Sequence, residues 1–244
     1  MVESEESIIK LILNAPIPFQ SEEQKQKCEE IIKYLTPVEK EQAACTSYAY
    51  FVASSNDEKY FPTQDAKQTS KNKMALRMAR RHLVAERWKK DKALEKMKET
   101  LEFRELYKIN ETRTRCSRNS EISNHPLMPS VAVCGYDMHN RAILIRVPIK
   151  FQTPSDNAFY QFVLYQLERA LACTEWKSRG KEEKINLAVD YSQYESGNIP
   201  PFSLLRSSVI LFQKHYPERL HMTIGAVSMI IYFINDLDLN LHFL

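Results

Sequence analysis

The chain has 244 residues, 43% of them hydrophobic and 27% charged, with a net charge of +3: enough apolar material to bury a core, in one large domain or two smaller ones. With only 4 glycines and neither a G-x-G-x-x-G nor a G-x-x-x-x-G-K run, helices are favoured and glycine-rich nucleotide loops have no anchor. The charge is unevenly placed, 12 acidic and 6 basic side chains in residues 1–65 against 11 basic and 3 acidic in residues 71–98.

The amino terminus Met1-Val2-Glu3-Ser4-Glu5-Glu6 lacks the cationic start of a signal peptide. The first clear element follows Ser21-Glu22-Glu23-Gln24, a capping box that opens a helix to Leu35. Thr36-Pro37-Val38-Glu39 is a second box, with proline where its missing N–H costs nothing, and predicts a helix to Ser54. Asn56-Asp57-Glu58 and Pro62 break the pattern. A third helix is predicted over 65–88, with Leu76, Ala79, Leu83 and Val84 along one face, and a fourth over 91–107, with Leu94, Met97 and Leu101. Residues 110–130, rich in Arg, Ser, Thr and Asn, read as a linker or long loop.

Beyond that loop the hydrophobic period becomes two. Val131 to Val133 and Ala142 to Val147 are predicted strands, joined by a turn in which Asn140 takes positive φ. Thr153-Pro154-Ser155-Asp156 caps a helix carrying Phe159, Phe162, Val163, Leu167, Ala170 and Leu171 on one face. Ile185–Asp190 is a short strand, Pro200-Pro201 opens another helix through Leu204, Leu205, Ile210 and Leu211, and the apolar run 222–234 supplies one further strand. The rhythm is that of an α/β fold with a mainly parallel sheet after an N-terminal helical module. Ile143, Ile145, Phe162, Leu167, Leu187, Val189 and Leu205 are its expected core.

Chemistry-bearing patterns are sparse. The five cysteines (Cys28, Cys45, Cys116, Cys134, Cys173) form no C-x-x-C pair and read as free thiols in a reducing compartment. The six histidines show no metal-ligand spacing, and Ser207-Ser208 lies on a predicted helix without a nucleophile elbow. No catalysis, cofactor or metal is expected. The longest apolar run, Ala226 to Ile234, is about half of the roughly 20 residues a membrane span needs, so a cytoplasmic protein is expected. The basic block 71–98 reads first as a solvated helical face. It is also a candidate for docking on an anionic membrane surface through Arg80, Arg81, Lys89 and Lys90. Nucleic acid is not expected as a partner, because Trp88 is the block's only aromatic residue and no binding motif accompanies it.

Three segments in register resemble the CRAL-TRIO family of lipid-binding domains. They are residues 83–104, LVAERWKKDKALEKMKETLEFR, the hairpin Gly135-Tyr136-Asp137-Met138-His139-Asn140-Arg141-Ala142, and residues 185–221 with their His215-Tyr216-Pro217-Glu218-Arg219-Leu220 turn. Lys89 and Lys90 replace the acidic and apolar residues the family places after its Trp, so Asp91 is expected to cap the fourth helix. The resemblance implies a helical module over 1–108 and a lipid-binding domain over 124–244. It also implies a non-catalytic protein that holds a phospholipid or other apolar molecule, acting in lipid transfer in the cytoplasm and peripherally on membranes.

Tyr216, Glu218, Arg219 and Leu187 are the lipid-binding candidates. In the phosphatidylinositol-binding branch, a glutamate matching Glu218 and a downstream lysine hold the headgroup, and the chain ends before that lysine. Ile185 and Leu187 stand where choline-lipid binders carry hydroxyls, so choline lipids are not implied. Without the resemblance, Glu218 reads as a turn-stabilising partner of Arg219, Tyr216 as a packing residue and Asp190 as a loop cap. The family pattern stops after His221, so the domain reads as incomplete at its C-terminus, with a cavity open on one side. A chain holding little lipid and prone to self-association is the corresponding expectation. The alternatives are a truncated module serving protein or membrane interaction, or a misannotated gene product.

Overall fold

The computed structural model describes residues 3–115, 125–153, 155–192, 195, 198, 200–227 and 230–234. Among these residues eight helices come first: α1 (Glu5–Asn14), α2 (Glu22–Lys33), α3 (Pro37–Ala44), α4 (Tyr48–Ser54), α5 (Asp57–Tyr60), α6 (Gln64–Ala85), α7 (Lys90–Leu106) and α8 (Ile109–Arg115). β1 (Val131–Tyr136), β2 (Ala142–Arg146), α9 (Asp156–Ser178), β3 (Ile185–Asp190), α10 (Phe202–His215), β4 (Leu220–Val227) and β5 (Ile230–Ile234) follow.

The caps act largely as the sequence predicts. The Glu39 amide donates to Thr36 Oγ1 at 3.2 Å and the Thr36 amide to Glu39 Oε2 at 2.7 Å, a complete reciprocal box. Thr36→Ala is expected to cost about 1 kcal/mol in denaturant unfolding; an unchanged midpoint would show that the box carries no stability. At α2 the Gln24 side chain reaches back one residue further, to the Gln20 amide at 3.1 Å.

Several expectations need correction. The helix predicted to run from Thr36 to Ser54 is two helices, because Ser47 caps a new start through the Tyr50 amide and Glu175 accepts the Tyr48 amide. α1, capped by Ser4, was not foreseen. α6 ends at Ala85 because Arg87 and Trp88 take positive φ. Lys89 rather than Asp91 precedes α7, with no side-chain cap. The loop expected over 110–130 begins as a helix, α8. The run 222–234 is two antiparallel strands, β4 and β5, rather than one.

The sheet order is β1-β2-β3-β4-β5, with β2, β3 and β4 parallel and both ends antiparallel. β2–α9–β3 and β3–α10–β4 each step one strand in the same direction, and right-handed crossovers of that kind put both helices on one face. The core follows: Val131, Ala142, Leu144 and Ile185 pack with Phe159, Phe162, Leu164, Leu167 and Leu204. The N-terminal helices pack onto α9 and α10 from outside, with Phe103 and Ile109 entering the same core and two further apolar clusters of their own. Crossover helices therefore lie between the module and the sheet. No helix among the described residues is long and apolar enough to cross a membrane.

Candidate functional site

Alternation along the strands divides the sheet into two unlike faces. Register pairs Leu144 with Leu187 and Ile145 with Ala188 on β3, and Ala188 with Ile224 on β4. Leu144 and its row face the helices, and Leu144 is 3% exposed. Ile143, Ile145, Ala188, Met222 and Ile224 point the other way, are only partly buried, and join none of the three apolar clusters. Ile143 and Ile145 were expected in the core, and the structure corrects this. A period of two separates the faces but does not say which one the helices cover. Leu204 likewise takes the buried place expected for Leu205.

At the other end of the domain lies a charged seam between the module and the crossover helices. Glu168 of α9 accepts Arg104 Nη1 of α7 and Arg113 Nε of α8, both at 2.7 Å, and the Tyr216 hydroxyl at 2.9 Å. Glu183, before β3, accepts Arg77 at 2.7 Å and Arg81 at 2.9 Å, both from α6. Burial alone would raise both carboxyls, but the paired arginines outweigh it and hold each well below the usual carboxylate range. Tyr216 is pushed up by burial and by the Glu168 charge, so its phenol stays protonated and donates.

Three of the four lipid-binding candidates fall in this seam and in the helix-side core, away from the partly open face, and Glu218 is in a partly exposed ion pair. Tyr216 is 4% exposed and bonded to Glu168. Arg219 is turned inward, its Nη1 donating to the Glu183 carbonyl at 3.0 Å. Burial, with Arg81 nearby, lowers its pKa to about 9. Leu187 packs against the helix-side core. Glu218, at φ 58°, pairs with Lys184 at 2.8 Å and not with Arg219, as the sequence suggested. A backbone turn between two adjacent residues sends their side chains to different neighbours. Asp190 does close a loop, accepting the Ser192 amide at 2.9 Å.

The basic set also separates. Arg81 is 4% exposed and held by Glu183, so it drops out of any surface role. Arg80 is partly buried, Lys90 pairs with Glu30 at 2.8 Å, and Lys89 is exposed. Sequence reasoning missed Glu168, Arg104, Arg77 and Glu183. The signal was present for two of them: Glu168 interrupts the apolar stripe of α9 beside Leu167, and Arg104 follows Met97 and Leu101 on one face of α7. Buried charges at such positions come in pairs.

No group of histidine, cysteine and carboxylate side chains that could hold a metal occurs among the described residues. Cys28 and Cys45 are buried free thiols, raised by burial to about 12 and about 11, which keeps them unreactive; Cys116 lies outside the described residues.

A family model, the CRAL/TRIO domain, matches residues 130–230, the span that contains the whole hairpin, β2 to β4 and both crossover helices. Among the solved chains that match is the crystal structure of Sfh5, with a TM-score of 0.53 at 16% sequence identity, covering 86% of this chain and 72% of that one. That likeness extends the shared fold into the helical module. No curated protein matches by sequence.

Proposed function

We propose that this chain, which carries a CRAL/TRIO domain over residues 130–230, is a non-catalytic lipid-binding protein that seats the apolar part of its ligand on the face of Ile143, Ile145, Ala188, Met222 and Ile224. The domain belongs to a lipid-binding and lipid-transfer family. The observation that carries the reading is the asymmetry of the sheet: among the described residues one face is filled by helices, and the other keeps a row of apolar side chains, three of them isoleucines, outside the three core clusters. Such a row is costly to leave in water, at about 25 cal/mol per Å² of apolar surface, and an acyl chain covers it without asking for hydrogen bonds.

The seam does different work on this reading. Tyr216 and Arg219 brace Glu168 and Glu183, the two carboxylates that hold arginines of the helical module, and Glu218 with Lys184 is an ion pair just before β4 and β3 that a polar headgroup could meet. A ligand held on a partly open face exchanges faster than one in a sealed pocket. Protein diluted through purification is therefore expected to carry little lipid, yet to take up lipid offered in vesicles. Without ligand the exposed row favours self-association. Analytical ultracentrifugation with and without added phospholipid tests this: mass averages that rise with protein concentration and fall on adding lipid are expected, and a lipid-insensitive monomer would count against the reading.

Transient docking on an anionic surface belongs to the same proposal, now through Arg80, Lys89 and Lys90. Each charge near such a surface contributes about 1 kcal/mol, so neutralising the three together is expected to weaken binding to anionic vesicles on the order of a hundredfold. Equal binding of the parent protein to anionic and neutral vesicles would remove the electrostatic part of the proposal while leaving the apolar face untouched.

A further inference from the structure

Five arginines enter the seam: Arg77, Arg81, Arg104, Arg113 and Arg219. Two carboxylates take two each, Glu183 holding Arg77 and Arg81, and Glu168 holding Arg104 and Arg113. Two more carboxylates lie at the seam: Glu175 accepts from the Ser47 hydroxyl and the Tyr48 amide, and Glu182 lies 3.8 Å from Arg141. Arg219 forms no salt bridge among the described residues; its Nη1 meets only the Glu183 carbonyl. Arg104 is 9% exposed, and its Nη2 is buried without a hydrogen-bond partner. Arg219 feels the charges of Glu183, Glu168 and Glu175 but touches none of their carboxylate oxygens, and an inward-turned guanidinium without a contacting counter-charge favours an anion beside it.

The structure leaves room for one. A cavity of about 20 Å³ is lined by Arg81, Arg104, Arg219, Thr100 and His215, with Glu168 as the one carboxylate in its wall. A neighbouring cavity of the same size also touches Arg219, but Glu175, Glu182 and Glu183 all line it, and an anion there would meet three negative groups. A void of this size holds a single water or a monatomic ion, since about 10–15 Å³ is the threshold for one water, and it is too small for phosphate or sulfate.

We propose that a chloride-sized inorganic anion occupies the cavity bounded by Arg81, Arg104 and Arg219. There it supplies the contacting negative charge that Arg219 lacks and a partner for Arg104 Nη2. It ties α6 and α7 of the helical module to the turn that leads into β4, so the union of module and sheet domain depends on the kind of anion in solution. His82 and His215 also line the cavity, and burial lowers them to about 3 and about 4, so at neutral pH they add no charge; His82 spends its one N–H on the Met78 carbonyl at 2.9 Å. This site is independent of whether the sheet face binds lipid.

The test uses the full chain. Melting curves are recorded in sodium chloride, sodium bromide and sodium gluconate at matched ionic strength, and crystals soaked in bromide are measured at the bromine edge. Chloride and bromide are expected to raise the melting temperature above gluconate, by an increment that grows with the logarithm of halide concentration once the site begins to fill. One anomalous peak is expected beside Arg104 and Arg219. Arg219→Gln is expected to erase the difference between halide and gluconate; if that variant does not fold, the parent's melts and the anomalous map decide alone. Coincident melts in chloride and gluconate, or density in the cavity without an anomalous signal, would mean that water fills it and would overturn the proposal.

Discussion

Ile145→Asp is expected to leave the melting temperature nearly unchanged, while Leu144→Asp, one residue earlier on the same strand, unfolds the domain. Leu144 is 3% exposed among α9 and its neighbours, where a carboxylate has no partner, and burying an unpaired charge costs several kcal/mol. Ile145 is only partly buried and lies outside that cluster, so an aspartate there reaches water. The same substitution is expected to abolish lipid uptake, because it sets a charge in the middle of the aliphatic row. Far-UV circular dichroism melts of the two variants side by side measure the first half of this expectation. Equal destabilisation would mean that the two faces are equally filled, and the proposed binding surface would be gone.

Glu168→Gln is expected to be the most destabilising change at the seam. It keeps the shape but strands Arg104 and Arg113, both buried, without their counter-charge. Breaking a buried pair in this way costs about 3–5 kcal/mol, which for a chain of this size lowers the melting temperature by about 10 °C. The pH dependence follows from the same carboxyl. Its folded pKa lies below the ordinary value of 4.5, so its contribution is fully present above that pH and is lost as the pH falls below it. Glu183, also depressed by its arginines, adds a second contribution with the same sign. The parent should therefore lose stability steeply on acidification below about pH 4.5, and Glu168→Gln should flatten that slope. A variant that melts with the parent and follows the same acid profile would show that the seam is held by packing alone.

Much of this architecture was legible in the chain. Caps named by residue type opened helices where expected, at Thr36 and Ser21, and the run 153–156 did so through Ser155. β3 begins and ends where its sequence pattern said, and the Asp137–Arg141 turn has Asn140 at φ 65°. What escaped was decided by neighbours distant in sequence. The break between α3 and α4 depends on Glu175 reaching the Tyr48 amide from more than a hundred residues away, which no local propensity encodes. The core face of β2 is set by the handedness of two crossovers, so Ile143 and Ile145 carried the right period with the wrong side.

The candidate site was read less well than the fold. Tyr216, Glu218 and Arg219 were marked by a motif, but Tyr216 and Arg219 serve the seam, where Glu168 and Glu183 meet arginines from the helical module. A motif records that residues matter together; it does not say against which surface they act. The aliphatic row, by contrast, went unrecognised because Ile143 and Ile145 were assigned to the core and Ala188, Met222 and Ile224 were given no face.

Native mass spectrometry after incubation with mixed-phospholipid vesicles tests the central claim most directly. The account predicts one lipid per chain on the parent protein, its loss in Ile145→Asp, and its retention in a control that neutralises exposed Lys33 of α2, outside the docking set. No lipid adduct on the parent, or equal loading of the parent and Ile145→Asp, would contradict it and leave the open face as a surface for a protein partner.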